Sequence, residues 1–102
     1  MVRVVNVMNY RPKEGEVVIK VDRSTPVGNP YVMYNEGMRD EVCEKFKAYF
    51  YKKVKEPGAF RDYVAYIYRT ALKHDVALSC WCAPKRCHAD VIAAFVNQFL
   101  NK

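Results

Sequence analysis

The stretch VALSCWC, residues 76–82, constrains the fold more than any other part of the chain, because it is apolar at nearly every position. A strand with one face in water alternates apolar and polar residues, whereas an unbroken apolar run marks a strand buried on both faces. The rest of the chain must supply its cover. At 102 residues it can build one core, so residues 1–102 are read as a single domain. A 51% hydrophobic and 27% charged composition is that of a globular domain, not a disordered one.

Two further strands precede that run. VRVVNVM (2–8) is dominated by β-branched residues, and EVVIKVD (16–22) places Val17, Ile19 and Val21 on one face. NYRPKEG between them is too short for a helical crossover, which predicts an antiparallel hairpin. RSTPVGNPY (23–31) is read as a rigid loop. Pro26 and Pro30 lack a backbone donor there, and Gly28 is free to take positive φ. Such a loop at a strand end is either a plain turn or a ligand contact.

Helical spacing then links Val42, Cys43, Phe46, Tyr49, Phe50 and Val54, predicting a helix from Asp40 to Val54. Asp40 and Glu41 suit the positive end of its dipole, and Lys52 and Lys53 the negative end. Cys43 falls on its core stripe and is read as a small buried hydrophobe. After the stop at EPG (56–58), a second helix is expected from Ala59 to Lys73, burying Phe60, Val64, Ile67 and Ala71 or Leu72. Tyr63, Tyr66 and Tyr68 serve there as amphipathic packing. A third helix runs from Cys87 to Asn101, with Val91, Ile92, Phe95, Val96, Phe99 and Leu100 as its stripe. The order β-β-α-α-β-α predicts an α/β fold, a small Rossmann-like sandwich whose sheet is covered by helices. Ligands in such folds sit beyond the carboxyl ends of the strands.

No apolar run approaches the roughly 20 residues that span a bilayer, and MVRVVNVMNY lacks the pattern of a signal peptide. A cytoplasmic protein with reduced thiols and no membrane partner is expected. The net charge of +6 and pI near 9.2 suit an anionic partner, a small molecule, nucleotide or nucleic acid, although solubility alone would also explain them.

Chemistry concentrates in SCWCAPKRCHAD, residues 79–90, which holds three of the four cysteines, the single tryptophan and one of two histidines. Cys80 and Cys82 lie on opposite faces of an extended strand, which disfavours a bridge between them. Cys87 and His88 open a helix whose unpaired N–H groups favour anions and thiolates, and Lys85 and Arg86 add charge beside it. Cys87 is accordingly the expected low-pKa nucleophile and His88 its acid–base partner, with Asp90 in the first helical turn. The same donors allow a second reading, a zinc site of Cys80, Cys82, Cys87 and His88. Its spacing is unusual, and adjacent Cys87 and His88 diverge by about 100° on a helix. An iron–sulfur cluster would need Cys43 as fourth ligand. Simple packing of the thiols is the third possibility. No Walker, dinucleotide or serine-triad motif is present.

VVNV near the start, a basic residue followed by PVGNPY, a Gly-x-Arg before the first helix, and the closing CWCAPKRCHADVI together resemble one family. It is the domain-of-unknown-function family numbered 4326, found in bacteriophages and bacteria, and the likeness covers essentially the whole chain. The resemblance implies site roles for Asn6, Arg23, Gly28, Asn29, Pro30 and Arg39, and for Cys80, Trp81, Cys82, Pro84, Cys87, His88 and Asp90. The chain departs from the family pattern at Asp22, where glycine is frequent, and after Pro30, where an aromatic-then-glycine run is usual.

Two functions are therefore expected to compete. The first is a phage-type domain, in the host cytoplasm if phage-encoded, binding an anionic small molecule such as a nucleotide or derivative. Asn6, Arg23, Gly28, Asn29, Arg39, Lys85 and Arg86 would contact the ligand, and Cys87, His88 and Asp90 would carry any catalysis. The second is a non-enzymatic, zinc-stabilised module that binds nucleic acid or a host protein. Whether the domain is an enzyme is left open by these residues.

Overall fold

The most apolar strand takes the centre of the sheet. In a computed structural model describing residues 1–8, 10–83 and 85–101, strand β3 (Asp75–Cys80) lies between β1 (Val2–Asn6) and β2 (Glu16–Lys20). Pro84, named among the expected site residues, lies outside the described residues, as do Asn9 and Lys102. Both flanking strands run parallel to β3, Val2 and Val17 sharing a register with Val76, and Val4 and Ile19 with Leu78. The expected antiparallel hairpin is thus replaced by a parallel arrangement in which β1 and β2 never pair. A parallel crossover needs reach, not a helix. Residues 7–15, extended at ~3.3 Å each, reach roughly 30 Å, enough to return past a strand of about 17 Å.

Parallel register sorts the side chains by face. Val2, Ile19, Val76, Leu78 and Cys80 join the apolar cluster built by the helices α1 (Arg39–Lys53), α2 (Ala59–Ala71) and α3 (His88–Leu100). Phe46 and Phe50 of α1, Ile67 of α2 and Ile92 of α3 are its largest wholly buried members from those helices. Each such side chain contributes about 1.5–3 kcal/mol of burial. Of the two candidates at the end of α2, Ala71 is buried and Leu72 is exposed. Gly58 precedes α2 with φ +149°, a conformation that suits glycine and explains the break after α1.

The other face has a different cover. Arg3 of β1 reaches Glu16 of β2 through two hydrogen bonds, of 2.8 and 3.0 Å. It spans β3 on the side of Ala77 and lies 5.0 Å from the centre of the Tyr10 ring. Ala77 and Ser79 are buried beneath this cover. The expectation of a helix-covered sheet therefore holds for one face, while on the other the Arg3–Glu16 pair and Tyr10 give partial cover and Val18 stays exposed. The observed class is mixed α/β, with three parallel strands and three α-helices.

Asn97 protects the free edge of β1. Its side chain accepts from the Val2 N–H and donates to the Val2 carbonyl, both at 2.8 Å, standing in for a neighbouring strand. No helix among the described residues is long and apolar enough to cross a membrane.

Candidate functional site

All three strands end at one edge, Asn6 beside Cys80 and Lys20 beside Ser79. The loop following β2, the turn following β3, the start of α1 and the start of α3 converge there. They leave a cleft of about 570 Å³, within the roughly 300–1,000 Å³ usual for small-molecule sites. Arg23, Asn29, Arg39, Arg86, Cys80, Cys82, Cys87 and His88 all line it, so the cleft collects eight of the residues singled out in the sequence.

The wall after β2 is a loop folded on itself. Asp22 accepts from the Ser24 N–H at 2.9 Å and from its hydroxyl, which holds the carboxyl below its usual range. Asn29 accepts from the Tyr31 N–H at 2.9 Å, and Arg23 donates to the Tyr31 carbonyl at 3.1 Å. Gly28 does not use the positive φ open to it. Its importance is steric: a Cβ there would stand 2.6 Å from the Arg23 Cα and 2.8 Å from the Asp22 oxygen. Gly28 shapes the loop that carries Arg23 without lining the cleft.

The opposite wall is laced by ion pairs. Arg39 grips Glu36 with two bonds of 2.9 Å and donates to the Arg86 carbonyl at 2.8 Å. Hydrogen bonds from Arg39 and from Lys85 (3.2 Å) pull the Glu36 carboxyl down to about 2. Arg86 pairs with Asp40 at 3.1 Å and with Glu44 at 2.7 Å. These cations hold the turn to α1, and Lys85 does not line the cleft. Arg23, by contrast, has no carboxylate partner among the described residues and is exposed.

The thiols differ from the expectation most. Cys80 Sγ lies 3.2 Å from Cys87 Sγ, and both residues are buried. The contact with Cys87, together with the N–H groups of Cys82 and Ala83, draws the Cys80 thiol down against the opposing effect of burial. Cys87 moves the other way, raised by its bond to Cys80 and by burial. The thiol drawn down is thus Cys80, whereas the expectation from helix position named Cys87. The tip of α3 is already occupied, since Asp90 accepts from the Cys87 N–H at 3.0 Å. Asp90 is an exposed helix cap outside the cleft.

His88 bonds through Nε2 to the Val21 carbonyl, and its ring meets Phe46 edge-on at 5.3 Å. A carbonyl only accepts, so Nε2 carries the proton. Burial pushes the imidazolium down, more than the Val21 carbonyl favours it. Asn6, expected at the ligand, spends its side chain on backbone: it donates to the Ala83 and Trp81 carbonyls and accepts from the Met8 N–H. It ties β1 to the turn after β3.

The sequence reading did not assign a ligand role to Trp81 beyond its place in the motif, and it gave none to Asp22 or Tyr31. Trp81 follows the last residue of β3, is 62% exposed and lines the cleft. A lone tryptophan directly after a buried strand was the available signal. Cys43 is buried as expected and also borders the cleft.

Zinc does not fit. With Nε2 of His88 turned to Val21 and two thiols facing each other, no three His, Cys, Asp or Glu groups among the described residues converge as a metal site.

The chain matches the family described as Domain of unknown function (DUF4326) over residues 5–98. It is 30% identical over 83 residues to the protein named "Uncharacterized 12.4 kDa protein in nrdA-td intergenic region" of Enterobacteria phage T4. That match spans 81% of this chain and 70% of the phage protein. No solved structure matches.

Proposed function

The chain belongs to the DUF4326 family, and from that premise we propose that it binds an anionic small molecule, a nucleotide or nucleotide derivative, in the cleft at the carboxyl edge of its sheet. The observation that carries this reading is the pairing of an exposed Trp81 with the carboxylate-free Arg23 around one cavity. An aromatic face offers a base about 1–3 kcal/mol of stacking, and a guanidinium matches phosphate oxygens in a planar fork. The site's place beyond strands β2 and β3 is the one that Rossmann-like sandwiches use. Arg39 and Arg86 orient the wall through their carboxylates, so the phosphate role narrows to Arg23.

A thermal-shift panel of nucleoside mono-, di- and triphosphates, inorganic phosphate and a single-stranded oligonucleotide tests this reading. A nucleotide at a hundredfold excess over its dissociation constant should add about 2.7 kcal/mol, and Arg23→Ala should remove most of that gain. Stabilisation by none of them refutes the proposal, and stabilisation by the oligonucleotide alone moves it to nucleic acid.

A further inference from the structure

Cys80 and Cys87 are seven positions apart in sequence, yet their sulfurs stand 3.2 Å from each other at the cleft. Neither is bonded to another cysteine. Backbone N–H groups reach both sulfurs. Cys80 closes β3 where the chain turns, and the N–H groups of Cys82 and Ala83 fold back onto its sulfur. Cys87 caps α3, its sulfur accepting from the Asp90 N–H and facing the Cys80 sulfur. Of the two thiols, Cys80 is the one drawn down, by its contact with Cys87 and by the N–H groups of Cys82 and Ala83, against the opposing effect of burial.

We propose that Cys80 and Cys87 form a redox-active dithiol, with Cys80 the attacking sulfur, that exchanges with low-molecular-weight disulfides entering the cleft and closes as a Cys80–Cys87 disulfide. In the first step Cys80 Sγ attacks one sulfur of R–S–S–R. That S–S bond breaks, the mixed disulfide forms on Cys80, and the first R–S⁻ leaves with the bonding pair. In the second step Cys87 Sγ attacks Cys80 Sγ, and the second R–S⁻ departs and takes up the proton released by Cys87. The protein gives up two electrons and two protons, and the small disulfide becomes two thiols. Closure requires the sulfurs to approach from 3.2 Å to about 2.05 Å, a movement within the reach of side-chain adjustment.

The other cysteines are poorly suited. Cys43 is buried and burial pushes its thiol up. Cys82 faces the Arg39 guanidinium instead of a second sulfur. This assignment does not rest on nucleotide binding, because it uses neither Arg23 nor Trp81. Nucleotide stabilisation and dithiol exchange can each fail without the other.

The test uses the full chain, reduced and then exposed to stepwise increasing oxidised glutathione, quenched in acid and alkylated. The expected product is lighter by two hydrogens and yields one linked peptide joining Cys80 to Cys87, with Cys43 and Cys82 alkylated only as free thiols. Cys87→Ser should accumulate a glutathione adduct on Cys80, whereas Cys80→Ser should carry none on Cys87. An adduct on Cys82, a link through Cys82, or four separately alkylatable thiols at the highest oxidant would overturn the proposal. The wild-type peptide map decides the matter even if either variant fails to fold.

Discussion

On the helix-covered face of the sheet, Val76, Leu78 and Ile19 share one apolar cluster with Phe46, Ile67 and Ile92. One or two residues further along the same strands, the carboxyl edge buries a thiol pair, half-buries an imidazole and leaves a tryptophan in the open. The face follows the economy of folding, in which large apolar groups go inside. The edge departs from it in both directions, and such departures concentrate where a protein does something other than fold. Stability and function should therefore separate by region.

Ile67→Ala gives the largest expected effect on stability. This wholly buried side chain lies in the core away from the cleft, so truncation should cost about 2–5 kcal/mol. A denaturant midpoint measures the loss, while nucleotide affinity of the folded fraction stays unchanged. Gly28→Ala comes next. The new methyl would collide with backbone atoms of Arg23 and Asp22, costing about 1–3 kcal/mol, and it should weaken nucleotide binding because Arg23 moves. Equal affinity in that variant would separate the loop from the site.

A pH series sharpens the contrast at smaller scale. His88 is kept neutral by burial, so its folded-state pKa lies below 6.5. The stability this contributes is complete above about pH 6.5 and fades as pH falls through the lowered folded value. Asp22 and Asp90 favour the cation and Arg23 opposes it. His88→Gln, which keeps an N–H for the Val21 carbonyl, should flatten part of the acid slope in melting temperature. An unchanged slope would mean that His88 titrates alike in the folded and unfolded chain.

Much of this was legible in the chain. The order of strands and α-helices follows from periodicity, and the buried nature of β3 follows from VALSCWC. Strand pairing was not legible, because a short connection such as 7–15 serves a hairpin or a bare crossover equally well. The contact of Arg3 with Glu16 across Ala77, which accompanies the parallel pairing, is visible only in three dimensions. Most of the expected site residues gather at the cleft, whereas Asn6, Gly28, Lys85 and Asp90 support it from outside. The choice between Cys80 and Cys87 depended on a sulfur–sulfur contact and on where two N–H groups fold back, neither of which spacing encodes.

Trp81 makes the sharpest separation. It is the only tryptophan and is mostly exposed, so Trp81→Ala should change stability by about 0.5 kcal/mol or less while weakening nucleotide binding by about 1–3 kcal/mol. Its fluorescence also gives the most direct test of the cleft as a ligand site, through titration of the wild-type chain and of Arg23→Ala with nucleotides. The account predicts a saturable change in Trp81 emission that requires about tenfold or more nucleotide in the Arg23 variant. Emission that stays constant with every mono-, di- and triphosphate, or that responds identically in both proteins, would contradict it.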